Sequence, residues 1–145
     1  MFKHLFIPVD GSELAERAMQ AGIDLAQQLD ASITAFVAEP PMPTPSHVGP
    51  HFAHDVEQHE QSTQQHAQGV LGNFANRAAA AGVRFNGIHA QVHQIDEAIA
   101  DTAREQGCDM IVMVTHGRGM FGEMLFGSRT KGVLGLSKLP LLVLH

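Results

Sequence analysis

The sequence predicts an α/β protein built on a parallel sheet, and three observations carry that expectation. Apolar runs rich in β-branched residues alternate with stretches of helical spacing along the whole chain. The run Met110 to Val114 has the length and composition of a strand buried on both faces. Directly after it comes a glycine-rich stretch with Gly117, Gly119, Gly122 and Gly127, and helical spacing resumes at Ser128. A strand, a flexible loop and a helix start are the parts of a phosphate cradle. Glycine lets backbone N–H groups approach an anion, and the helix start offers unpaired donors at a positive dipole end.

Taken in order, His4 to Val9 is the first predicted strand, followed by Asp10-Gly11-Ser12. Glu13 to Leu29 is a predicted helix with Leu14, Ala18, Ile23, Leu25 and Ala26 facing inward. Ser12 or Asp10 can cap it, and Asp30 ends it. Ser32 to Ala38 is the second strand. Five prolines lie between Glu39 and Pro50, so this segment is a predicted loop. His51 to Ala81 is helical, polar in its first half and alanine-rich in its second, with Val56, Val70, Leu71, Phe74 and Ala78 inward. Val83 to Val92 is the third strand. Ile95 to Gln106 is a helix with Gly107 at its C-terminal cap. The fourth strand is Met110 to Val114, the last helix Ser128 to Leu136, and the fifth strand Pro140 to Leu144. The alternation implies right-handed crossovers. All 145 residues are expected to form one domain, residues 1–145.

Composition narrows the function. A net charge of −6 argues against a dedicated nucleic-acid binder, which needs clustered Lys and Arg. Arg118, Arg129 and Lys131 form the one local basic candidate. The single cysteine, Cys108, can make no internal disulfide and no zinc site alone, which suits a reducing compartment, and it is expected to pack as a small hydrophobe. No apolar run approaches a membrane span, and the N-terminal apolar core is too short for a signal peptide. A soluble cytoplasmic protein is the expectation.

Ile7-Pro8-Val9-Asp10-Gly11-Ser12, Ala35-Phe36-Val37, the block from Gly107 through Gly119 and Leu139-Pro140-Leu141-Leu142-Val143 together resemble the universal stress protein family. The resemblance covers the whole chain. Its most specific part is Gly117, nine intervening residues, then Gly127-Ser128, the back half of the family's nucleotide signature. The resemblance implies an open five-stranded sheet in the order 3-2-1-4-5 with helices on both faces, a Rossmann-like adenine-nucleotide-binding fold. It also implies a homodimer pairing through the last strand, Leu141 to Leu144. The implied ligand is ATP or a related adenine nucleotide, with Mg2+ or without it. Asp10 maps onto the ribose or base contact, beside Pro8 and Val9. Val37 maps onto the adenine-lining position, and Met113 lies at the end of the fourth strand. Gly117, Gly127 and Ser128 map onto the phosphate and ribose contacts, with Arg118, Arg129 and Thr130 beside them.

One position departs from the signature, whose first glycine should stand where Val114 stands. A branched side chain there obstructs a ribose that packs against it, or leaves binding untouched if it turns into the core. His116 is expected to hold the loop by a hydrogen bond, because no partner for acid–base work is identifiable. The pairs His51/His54 and Asp55/His59 could share helix faces, yet a solvated polar helix explains them more simply. The chain lacks the Walker lysine pattern, so at most slow ATP hydrolysis is expected. The leading expectation is a nucleotide-binding regulatory switch in the stress response. The rival is a nucleotide-independent dimeric interaction module with an unidentified protein partner.

Overall fold

The computed structural model describes residues 1–9, 13–42, 52–115 and 128–145. Asp10, His116, Gly117, Arg118 and Gly127 therefore lie outside the described residues, as do His51 and most of the proline segment. The elements are β1 (His4–Pro8), α1 (Glu13–Leu29), β2 (Ser32–Glu39), α2 (Phe52–Ala80), β3 (Phe85–Gln91), α3 (Ile95–Glu105), β4 (Met110–Val114), α4 (Ser128–Leu136) and β5 (Leu141–Leu144). All five strands join one sheet in the order β3-β2-β1-β4-β5, every pair parallel.

Strands β1, β2 and β4 are largely apolar on successive residues because both faces are covered. In β1, Leu5 and Ile7 enter the cluster beneath α1 and α2, whereas Phe6 enters the cluster beneath α3 and α4. Side chains that alternate across a strand thus feed two separate cores. The first core holds Ile33, Ala35 and Val37 of β2 and Met110 and Val112 of β4. The second holds Phe36, Ile111, Met113, Ile99 and Val133, with Phe6 and Phe36 tilted at a centroid separation of 5.4 Å.

Helix α1 buries Ala15, Ala18, Met19, Ile23 and Ala26, a stripe of mostly small residues. Leu14 and Leu25, expected inward, lie half-buried at its flanks. The small stripe brings the helix close to the sheet. A Cβ on Gly22 would overlap Ile7 Cδ1, so a side chain there would force Ile7 or the helix to shift. The helix ends at Asp30, whose φ of 53° is left-handed, and Ala31 N–H donates to Ala26 O at 2.8 Å. At the amino ends of the strands, Asp109 accepts hydrogen bonds from the Lys3 and His4 amides at 2.8 and 3.1 Å, which ties β4 to β1.

Cys108 is buried and unpaired, the small hydrophobe that its surroundings require. Burial pushes its thiol up to about 11; a hydrogen bond with Thr34 opposes this and the Asp109 charge adds to it. Thr34 is itself fully buried, and its hydroxyl meets His4 Nε2 at 2.7 Å.

Candidate functional site

The strand order fixes where a ligand can sit. From β1 the chain winds outward through β2 to β3, then returns to β4 on the other side of β1 and continues to β5. Strands β1 and β4 are therefore hydrogen-bonded neighbours at the reversal of winding, and the crossovers diverge from their carboxyl ends. Open parallel sheets leave a crevice at that point. The chain leaves β1 toward Asp10 and leaves β4 toward the glycine-rich stretch, so both expected ligand-binding segments start from the same end of adjacent strands.

Val9 is buried and its N–H donates to Phe36 O at 2.9 Å, which carries the β1–β2 ladder one residue past Pro8. Pro8 is half-buried and pairs with Phe36 in register. Val37 is fully buried in the α1/α2 core, on the same sheet face as Val9. Met113, also buried, belongs to the α3/α4 core on the opposite face. The structure thus brings Pro8, Val9 and Val37 together on adjoining strands and assigns the Met113 side chain to the other layer.

Val114 packs its side chain against the α1/α2 core and pairs with Leu144 in register. Just beyond it, buried Thr115 donates its N–H to Leu144 O at 2.8 Å. The Thr115 hydroxyl lies 3.3 Å from His145 Nδ1, and the Arg17 guanidinium donates to His145 O. The entry to the glycine-rich stretch is therefore tied to β5 and, through His145, to α1.

At the far end of that stretch, Ser128 opens α4 and is exposed, as is Arg129. The first turn of α4 carries no acidic residue, so its dipole end is left to other anions. Thr130 is buried, which leaves it a packing position. Arg129 is engaged within the protein: its Nη1 stands 2.7 Å from Asp96 Oδ1, in the first turn of α3. Glycine at position 132 permits that contact, because a Cβ there would lie 2.6 Å from Asp96 Cγ.

A histidine–glutamate pair borders Val37. His89 on β3 is the register partner of Val37, and Glu39 follows two residues along β2. His89 Nε2 and Glu39 Oε2 face each other at 3.7 Å, both buried and neither making a hydrogen bond. Neither Asp96 nor this pair carries a motif. Strand parity could have placed Glu39 and His89 on the Val37 face, but nothing local marks Asp96. Among the described residues, no group of three or more His, Cys, Asp and Glu could hold a metal ion, and no helix is long and apolar enough to cross a membrane.

The chain matches the model of the Universal stress protein family over residues 1–145. It is 29% identical to universal stress protein YxiE of Bacillus subtilis (strain 168) over 149 residues, covering 100% of both chains. Its fold is similar to that of universal stress protein UspA from Lactobacillus plantarum, with a TM-score of 0.80 at 19% identity over 99% of this chain and 98% of that one. It is also similar to a universal stress protein family protein of Arabidopsis thaliana solved with AMP bound. There the TM-score is 0.67 at 13% identity, over 98% of this chain and 90% of that one. At these identities the structural likeness speaks for the fold alone.

Proposed function

The chain belongs to the universal stress protein family, and on that premise we propose that it binds ATP or a related adenine nucleotide and acts as a regulatory switch in the stress response. The observation that carries the reading is the pairing of β1 with β4 at the reversal of winding, with the Asp10 segment and the glycine-rich stretch following the same end of the two strands. The AMP held by the Arabidopsis relative supports an adenine nucleotide as the ligand class.

In this reading Asp10 accepts hydrogen bonds from the ribose, and Pro8, Val9 and Val37 border the base. Gly117, Gly127 and Ser128 offer backbone and hydroxyl donors to phosphate, with Arg118, Arg129 and Thr130 beside them and Met113 as support from the other layer. Packing of the Val114 side chain on the α1/α2 core favours a site that tolerates valine there. Nucleotide binding at the glycine-rich stretch changes a partner surface by population shift. The protein acts in the cytoplasm as one domain, dimerises through β5, and hydrolyses ATP slowly if at all. A crystal structure after soaking with AMP or ATP tests the site. Nucleotide density between Asp10 and Gly117 supports it, and an empty crevice at millimolar ligand refutes it.

One observation favours a second reading, a nucleotide-independent interaction module. Strand β5 is an edge strand with all four residues only half-buried, and Leu134 and Leu136 on the adjoining helix α4 are more than half exposed. An uncovered apolar edge invites another chain. Size-exclusion chromatography with light scattering, with and without ATP, separates the readings: a partner surface indifferent to nucleotide favours the second.

A further inference from the structure

Helix α4 begins with Ser128-Arg129-Thr130-Lys131, two cations on a positive dipole end, and no acid of its own in the first turn. The anion at this place comes from elsewhere in the chain. Asp96, in the first turn of α3, reaches across to pair with Arg129 at 2.7 Å. Its carboxylate lies over Gly132, where any side chain would meet Asp96 Cγ at 2.6 Å and Cβ at 3.1 Å. The pair is only partly shielded, with side-chain exposures of 50% for Arg129 and 31% for Asp96, so Arg129 can leave it without unfolding the helix.

We propose that Asp96 is a specificity-determining residue that sets how strongly the site discriminates among adenine nucleotides by phosphate charge. The inference rests on the nucleotide reading above. A phosphate chain arriving at Ser128 competes with Asp96 for the Arg129 guanidinium. While Asp96 holds it, the guanidinium is neutralised and the carboxylate repels the incoming anion. The penalty grows with ligand charge: it is small for AMP and larger for ATP, whose phosphate chain carries about two more negative charges near neutral pH. Asp96 thereby biases the site toward nucleotides of low charge, and Gly132 keeps the carboxylate seated.

The test is calorimetric titration of ATP and AMP, at one ionic strength, into the parent protein and two variants. Asp96→Asn removes the competing charge; Gly132→Ala pushes the carboxylate off Arg129 and leaves both charges in the chain. In each variant ATP affinity rises by about fivefold, the scale of one partly exposed ion pair, and AMP affinity moves by less than about twofold. Adding Arg129→Ala to Asp96→Asn abolishes most of the gain. Equal changes for ATP and AMP, or none in either folded variant, overturn the inference and leave nucleotide binding standing. Absence of binding by parent and variants alike overturns both. Circular dichroism and melting confirm that the variants are folded.

Discussion

Val114 lies in register with Leu144 across the parallel β4–β5 pair, and both side chains pack against the core beneath α1 and α2. The valine that replaces the first glycine of the signature thus has a structural task at the last rung of β4. Replacing it with glycine removes apolar burial and adds backbone freedom. Val114→Gly should lower stability by about 1–2 kcal/mol in urea unfolding, because the side chain is only half-buried. It should leave nucleotide affinity within about threefold of the parent. A larger gain in affinity would mean that the isopropyl group obstructs the ribose.

In the proposed site Asp10 contacts the ligand, and the sequence offers Asp10 or Ser12 as the cap of α1, which opens at Glu13. Asp10→Ala should weaken nucleotide binding by about tenfold or more, the loss of one charge-assisted hydrogen bond. Unfolding without ligand should change by about 0.5–2 kcal/mol, the usual cost of a lost cap. Asp10→Ser preserves a capping oxygen and should recover the stability but not the affinity. A variant that loses stability and retains full affinity would reduce Asp10 to a cap.

The approach of α1 to β1 depends on the missing side chain at Gly22. Gly22→Ala drives a methyl group into Ile7 Cδ1, and overpacking of this kind costs about 1–3 kcal/mol. Combining it with Ile7→Val removes the obstructing atom and should restore part of the loss. Additive losses in the double variant would show that the helix had already shifted.

Most of the fold was legible in the sequence, for a physical reason. Strands β1, β2 and β4 are buried on both faces, so their apolar residues run consecutively and stand out. The third strand, β3, starts at Phe85, later than the sequence predicts. Val83 is buried, but its N–H donates to Ala78 O at 2.8 Å and closes the end of α2, so the ladder begins only with Arg84 O accepting from Ile33 N–H. In α1 the expected Leu14 and Leu25 are only half-buried, whereas Ala15 and Gly22 are buried, small residues that let the helix lie close to the sheet, along with Met19. The expected site was read from motifs of consecutive residues, at Asp10 and from Gly117 to Ser128, and of these only Ser128 lies among the described residues. It was illegible where two helices meet. Asp96 and Arg129 are separated by 33 residues, and only the packing of α3 on α4 over Gly132 makes them neighbours.

Cys108 supplies a pH dependence whose sign is determined. Its thiol is raised from 9.0 to about 11 in the fold, mainly by burial. Below pH 9 both folded and unfolded chains hold the proton, and stability does not respond to this group. Between about pH 9 and 11 the unfolded chain releases the proton and the folded chain keeps it, so stability falls as pH rises through that window. Cys108→Ala should flatten this part of the stability profile. In the native protein at pH 8, alkylation by iodoacetamide should be far slower than in urea. Rapid native alkylation would contradict the burial.

The proposed function requires an adenine nucleotide at the carboxyl ends of β1 and β4. Isothermal titration of AMP and of ATP with Mg2+ into the ligand-free protein measures it directly. Saturable binding is expected at one site per chain, with a Kd below about 100 µM for at least one of the two, and loss of that heat in Asp10→Ala. No heat from either nucleotide at millimolar concentration, with the protein folded, would contradict it.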